Sequence, residues 1–264
     1  MNGKRVEGKV AIVTGGGSGI GKAAALRLAE EGAKVCMLDR TPEEAEKVKA
    51  EIERLGGVAM VIETDVSQAE MVENGVKQAA EKWGRLDIVF ANAGINGTWA
   101  PIETLEVEEW DKTLGINLRG TFLTVKYAVP YLKKNGGSII ITSSINGNRK
   151  FSNIGASAYS SSKAGQVAFM KMASLELAQF NIRVNAICPG AIKTNIGDNT
   201  EKAPELDKVD IPVEFPEGNH LLNGGTGEAR QVGDLVLFLA SDESSHITGT
   251  PIYIDGAESL LMGG

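Results

Sequence analysis

A glycine-dense turn near the N-terminus, Thr14-Gly15-Gly16-Gly17-Ser18-Gly19-Ile20-Gly21, constrains this chain more than any other feature. It follows a short apolar run, residues 9–14 (KVAIVT), and opens an alanine-rich helical segment. Three of its glycines have distinct uses at a strand-to-helix turn. Gly15 permits the tight turn, Gly19 lets the backbone approach a pyrophosphate, and Gly21 lets the helix lie close to the strand. The helix N-terminus then offers N–H groups and the positive end of its dipole to phosphates, with Ser18 and Ile20 filling the turn. The spacing is not GxGxxG, because Ile20 stands where glycine or alanine would be required. The stretch from Gly16 to Lys22 matches most of a P-loop, but Ala23 replaces the Ser or Thr that would hold magnesium.

The rest of the chain alternates short apolar runs with longer helical patterns. Residues 34–39, 58–63, 86–91, 138–142, 182–188 and 251–255 read as further strands, nearly continuous in apolar side chains, as strands covered on both faces are. Thr41-Pro42-Glu43-Glu44 and Ser67-Gln68-Ala69-Glu70 have the pattern of capping boxes. Residues 107–134 have the periodicity of one long helix or two joined ones, and 157–180 and 228–240 complete the set. Repeated strand–helix–strand units imply an α/β fold: one doubly wound, Rossmann-type parallel sheet with helices on both faces. At about 150 residues per domain, 264 residues leave room for one domain or two. With no repeat and no linker, a single nucleotide-binding domain over 1–264 is expected. Residues 193–227 are irregular, rich in glycine, proline and carboxylates, and read as an insertion that covers a site as a lid.

Composition narrows the function. A net charge of −7 without a basic stripe argues against nucleic acid. No apolar run has the length of a membrane span or a signal peptide, so a cytoplasmic protein is expected. Cys36 and Cys188 sit inside strand-like runs, which fits buried, reduced thiols. His220 and His246 stand apart in loop-like contexts, with no GxSxG elbow and no metal-ligand spacing, so neither a hydrolase triad nor a metal site is expected.

The second strand ends in Asp39, 20 positions after Gly19. A carboxylate there accepts ribose hydroxyls and repels a 2′-phosphate, favouring NAD over NADP. Arg40 beside it counts the other way. Downstream, Tyr159 and Lys163 lie four apart in a helical segment and so share a face. A neighbouring ammonium favours the phenolate and lowers a tyrosine pKa towards a working value.

With these motifs in this order, the chain resembles the short-chain dehydrogenase/reductase family over nearly its whole length. The resemblance rests on TGGGSGIG (14–21), Asp65-Val66, ANAG (91–94), Asn117 in GINLRG, Ser144, Tyr159-Ser160-Ser161-Ser162-Lys163, Pro189-Gly190 followed by Thr194, and Ile254-Asp255-Gly256. It implies that Tyr159 is the general acid/base, that Ser144 holds the substrate oxygen, and that Lys163 holds the nicotinamide ribose and tunes Tyr159. Asn117 anchors a water linking Lys163 to solvent. Asp65 and Val66 contact adenine, Asn92, Ala93 and Gly94 line the adenosine and ribose side, and Ile192 and Thr194, with Pro189 and Gly190, fix the carboxamide. It also implies a homo-oligomer, tetramer or dimer, paired through the helices around 107–134 and 157–180.

The segment between Ser144 and Tyr159 is slightly longer than usual for that family, which leaves Ser143 as a rival to Ser144; Ile145-Asn146-Gly147 favours Ser144. Asn146, Asn148 and Phe151 in this loop are expected to reshape the substrate side, whereas Trp99 reads as packing. The substrate is expected to be a small secondary alcohol or its ketone, such as a sugar or polyol. A 3-oxoacyl-carrier-protein reductase is the alternative. That branch commonly has an arginine where Phe180 stands, leaving only Lys133 and Lys134 to dock an acidic carrier. A non-catalytic NAD-binding sensor is a third reading; the presence of Ser144, Tyr159 and Lys163 argues against it.

Overall fold

The computed structural model describes residues 4–209, 222 and 224–261. Strand and helix alternate as β1 (Val10–Thr14), α1 (Gly19–Glu30), β2 (Lys34–Asp39), α2 (Pro42–Arg54), β3 (Val58–Glu63), α3 (Ala69–Trp83), β4 (Ile88–Ala91), β5 (Gly97–Trp99), α4 (Val107–Leu114), α5 (Gly120–Leu132), β6 (Gly137–Thr142), α6 (Ser157–Leu177), β7 (Ile182–Pro189), β8 (Ile192–Lys193), β9 (Thr200–Lys202), β10 (Gly227–Glu228), α7 (Ala229–Ala240), β11 (Pro251–Ile254) and α8 (Glu258–Leu261). Seven strands form one sheet in the order β11-β7-β6-β4-β1-β2-β3, every neighbouring pair parallel. The chain winds outward from β1 to β3, then returns to β4 and winds the other way to β11. The crossovers on either side of β1 and β4 leave in opposite directions, which opens a crevice at the carboxyl ends of these two strands.

Both faces of the sheet are covered. Leu123, Val72, Val76, Met170 and Leu177 of α3, α5 and α6 pack on one face. Leu28, Val48, Ile52, Val232 and Leu237 of α1, α2 and α7 pack on the other. This two-sided cover is why β1 and β4 are buried at every position and read as continuous apolar runs.

The seven strands lie where the apolar runs predict them, with ends shifted by one or two residues. The predicted caps do not form. Thr41 is the N-cap of α2 but makes no side-chain cap bond. Ser67 lies before the N-cap of α3, and its Oγ donates to Asp65 Oδ1 instead. The capping box that does form joins Glu228 and Gln231 at the start of α7. Residues 107–134 are two helices joined by a π-turn, Gly115–Arg119, which carries Asn117. The loop from 193 is not structureless. Its ends are tied by β8–β10 pairing, and β9 adds in parallel to β5, followed by a 3-10 turn at Pro204–Lys208. Its later acidic residues Asp210, Glu214 and Glu217, together with His220, lie outside the described residues.

At the amino ends of the strands, Asp87 holds the sheet to its preceding turn. Its Oδ2 accepts the Val10 N–H at 2.9 Å, and Arg85 grips both oxygens at 2.7 and 2.8 Å. Val10 is fully buried, so Asp87→Ala leaves its N–H without a partner. The expected loss is about 1–3 kcal/mol of unfolding free energy. It is checked as a lower urea midpoint at unchanged m-value.

Candidate active site

The glycine turn takes the shape its spacing predicts. Gly15 and Gly19 have φ of 66° and 50°, in the left-handed region. A Cβ on Gly21 would stand 1.9 Å from the Gly15 carbonyl oxygen, so only glycine lets α1 leave the turn at this angle. No side chain caps α1 at Ser18, and no acidic residue stands in its first turn. That end of the helix faces the crevice with its dipole uncompensated, as an anionic pyrophosphate requires. Asp39 bonds the turn directly: Oδ2 accepts the Gly17 N–H at 2.8 Å, and Oδ1 accepts the Thr41 N–H at 2.9 Å. Each oxygen keeps a lone pair for a further donor. Arg40 is exposed and pairs with no carboxylate among the described residues. These features fit a nucleotide cofactor.

Thr14, Asn92 and Thr142 lace the carboxyl ends of β1, β4 and β6. The Thr14 hydroxyl accepts the Asn92 and Ala93 N–H groups, Asn92 Nδ2 donates to the Thr14 carbonyl, and the Thr142 hydroxyl donates to Asn92 Oδ1. From this edge a cleft of about 350 Å³ opens. Its wall includes Gly15, Ser18, Gly19 and Ile20, then Asn92, Ala93 and Gly94, then Ser144, Tyr159 and Lys163, and Pro189, Gly190, Ile192 and Thr194. Gly21, Asp39, Arg40, Asp65, Val66 and Asn117 are not in this wall. Asp39 sits at the turn beside it. Asp65 Oδ1 accepts the Ser67 N–H and hydroxyl, and Val66 packs against Gly120 of α5.

Tyr159 and Lys163 stand on the inward face of α6, both almost fully buried. Ser144 meets Tyr159 because the segment after it runs against α6: a Cβ on Gly147 would lie 2.4 Å from the Ala164 nitrogen. The Ser144 hydroxyl hydrogen-bonds the Tyr159 phenol. Ser143 also borders the cleft, but its hydroxyl donates to the Lys163 carbonyl at 2.8 Å. The geometry therefore separates the two serines in favour of Ser144. Asn117 lies behind the cleft. Its Nδ2 donates to the Ile95 carbonyl and to Ser162 Oγ, and its Oδ1 accepts the Ile95 N–H. The Asn117 carbonyl, in the π-turn, accepts from Thr121 Oγ1 and Gln166 Nε2.

The electrostatics correct one expectation. The ammonium of Lys163 does not lower the Tyr159 pKa here. Burial pushes the phenol up, and the Ser144 hydrogen bond only partly opposes it. Lys163 Nζ is 5.5 Å from the ring centroid and donates to the Thr142 carbonyl at 2.9 Å. Burial also brings Lys163 down, from 10.5 to about 8. For both groups, desolvation of the charged form on burial is the largest cause of the shift.

Several cleft residues escaped the sequence reading. Asn96, Asn153, Asn195, Asn199, Lys150 and Glu258 all border it, and so does Trp99, which reads as packing in the sequence. They come from four segments far apart in the chain and form no local motif. Conversely, Lys133, Lys134 and Phe180 lie at the far ends of α5 and α6. The helices run antiparallel to the strands, so these ends sit at the amino edge of the sheet, and none of the three borders the cleft. Lys133 Nζ stacks on the Phe180 ring at 4.0 Å. Phe151 is exposed, and Asn148 turns back to the Ser144 carbonyl and Ser143 hydroxyl.

The shift of Lys163 has a sign that can be measured. Below pH about 8 the folded chain carries the buried ammonium at full cost. Between about 8 and 10.5 the folded chain has released a proton that the unfolded chain still holds, so stability rises with pH. Cys36 and Cys188, raised by burial to about 12 and about 11, act oppositely above 9, where unfolded thiols ionise. In the absence of cofactor, the melting temperature of wild type relative to Lys163→Met is expected to rise from pH 8 to 9. A flat difference contradicts the shift.

Residues 15–257 match the family described as Enoyl-(Acyl carrier protein) reductase. Among curated relatives, a 3-oxoacyl-acyl-carrier-protein reductase, FabG, of Thermotoga maritima is 39% identical over 96% of this chain and 98% of its own length. Levodione reductase of Leifsonia aquatica is 38% identical over 97% and 96%. Among solved structures, a 3-ketoacyl-ACP reductase from Sinorhizobium meliloti 1021 superposes with a TM-score of 0.91 at 50% identity, covering 96% of this chain and 99% of that one. With identity at this level running from end to end, the chain belongs to the short-chain dehydrogenase/reductase family of oxidoreductases, which bind nicotinamide cofactors.

Proposed function

We propose that this protein is an NAD-dependent dehydrogenase that interconverts a small secondary alcohol and its ketone. The observation that carries the reading is the meeting of Ser144, Tyr159 and Lys163 in one cleft beside an uncapped helix N-terminus. The nicotinamide, when bound, supplies the hydride exchange. The chain supplies the rest. Ser144 Oγ holds the substrate oxygen, and Tyr159 Oη takes its proton in oxidation and returns it in reduction. Lys163, on the same face of α6, holds the ribose hydroxyls, and Asn117 supports it from behind through Ser162. Ala93 and Gly94 line the ribose side. Pro189, Gly190, Ile192 and Thr194 hold the carboxamide, and Asp65 and Val66 take the adenine. Asp39, fixed by Gly17 and Thr41, accepts the adenosine ribose hydroxyls and disfavours a 2′-phosphate.

Residues 193–227 act as a lid whose first half is seated by β9 on β5. Exposed Phe122, Met172 and Leu175 on α5 and α6 support pairing of two copies through these helices. Light scattering then reads a mass of two or four chains, and a monomer contradicts it.

A second reading, reduction of a 3-oxoacyl carrier thioester, is favoured by the names of the Thermotoga and Sinorhizobium relatives. Fluorescence titration and turnover separate the cofactor and catalytic parts of the proposal. NADH is expected to bind more tightly than NADPH. Tyr159→Phe is expected to keep NADH affinity while turnover falls by ~10²–10⁴-fold. Tighter NADPH binding overturns the cofactor assignment. Near-normal turnover of the variant overturns the mechanism, and cofactor binding without turnover of any alcohol or ketone identifies a sensor.

A further inference from the structure

Two residues of the cleft wall carry a buried polar atom with no partner: the Trp99 indole Nε1, a donor, and Asn146 Oδ1, an acceptor. Neither atom is left over from loose structure. Trp99 is held in β5 by its pairing with β9, its carbonyl accepts the Ala203 N–H at 2.9 Å, and Lys202 Nζ stacks on its ring. Asn146 lies two residues beyond Ser144, and its backbone N–H donates to Ser144 Oγ at 3.1 Å. A buried polar atom without a partner costs free energy comparable to a lost hydrogen bond, and a ligand that pairs it recovers that cost.

The charges of the wall add a second constraint. Among the described residues, the charged side chains bordering the cleft apart from Lys163 are Lys150 and Glu258. They pair at 2.9 Å, both largely buried, and the second Glu258 oxygen accepts the Ala191 N–H at 2.9 Å. A carboxylated substrate would meet Glu258, and Lys150 has no free charge to offer it. Among the described residues, the wall beyond the reacting centre is therefore neutral and polar.

From this pairing of an unpartnered donor and acceptor in a charge-cancelled wall, we infer that the substrate is a neutral vicinal polyol of sugar or cyclitol size. The inference rests on the alcohol–ketone reading of the site. With the reacting oxygen at Ser144 and Tyr159, a hydroxyl on the adjacent carbon donates to Asn146 Oδ1. A further hydroxyl accepts from Trp99 Nε1. A 3-oxoacyl thioester has a second carbonyl that can accept from Trp99, but no donor beside its reacting carbon for Asn146. A simple cycloalkanol satisfies neither atom, and a site built to hydrogen-bond hydroxyls discriminates against analogues lacking them.

Three alcohols on one ring size test this: cyclohexanol, cyclohexane-1,2-diol (cis and trans) and myo-inositol, oxidised with NAD by the full-length protein. In wild type, kcat/KM is expected to rise about tenfold from cyclohexanol to the better diol, and again to myo-inositol. Asn146→Ala is expected to collapse the first ratio towards one, and Asn146→Ser, which keeps an oxygen acceptor, to restore part of it. Trp99→Phe, which keeps a ring and removes the N–H, is expected to collapse the second. Melting temperatures report whether each variant folds. Cyclohexanol turned over as well as the diol by wild type, or ratios unmoved in folded variants, overturns the inference and leaves the dehydrogenase reading standing. No turnover of any of the three, nor of cyclohexanone and 2-hydroxycyclohexanone with NADH, overturns both.

Discussion

The hydrogen bonds of Asn92 hold together the edge on which the whole site is built. A parallel sheet leaves its strand ends unpaired where the winding reverses, and here those ends belong to β1, β4 and β6. Asn92 joins all three, with Thr14 and Thr142 as its partners. The glycine turn departs from β1 immediately beyond Thr14, and Ser143 and Ser144 follow Thr142. Lys163 is tied to the same edge through the Thr142 carbonyl. The glycine turn, Ser144 and Lys163 thus share one short network, and their relative positions follow from it.

Close approach of backbone, rather than side-chain attraction, sets the finer geometry. Gly21 against the Gly15 carbonyl fixes the exit angle of α1, and Gly147 against Ala164 brings Ser144 to Tyr159. The Tyr159 and Lys163 side chains then lie almost fully buried at the back of the cleft. Desolvation there raises the Tyr159 phenol and lowers Lys163. Below pH about 8 the resting site therefore pairs a neutral phenol with a buried ammonium.

The half of the cleft farther from the glycine turn is assembled differently. Asn146 and Lys150 come from the segment after β6, Trp99 from β5, Asn195 and Asn199 from the loop after β8, and Glu258 from α8. Their positions depend on pairing between distant segments: β9 on β5, β10 on β8, and the Lys150–Glu258 ion pair. Loops positioned by a rigid scaffold are where specificity can vary without disturbing the core.

Local sequence determined the elements and the candidate site residues. Seven apolar runs became seven strands because helices cover both faces, and the glycine turn, Asp39, Ser144, Tyr159 and Lys163 were legible as candidates because the roles proposed for them demand fixed spacings along the chain. What only the tertiary structure decided were properties set by burial and by contacts between remote segments. Ser67 turned to Asp65 instead of capping α3, because the turn after β3 offered a carboxylate closer than the helix N–H groups. The Tyr159 pKa rose because the phenol is buried, a property that no four-residue spacing encodes. Lys133, Lys134 and Phe180 fell at the far edge of the sheet because helices run antiparallel to the strands they follow. Trp99, Asn146, Lys150 and Glu258 became one wall because the winding of the chain brings their loops to the same strand ends, where residues up to 159 positions apart in sequence touch a common space.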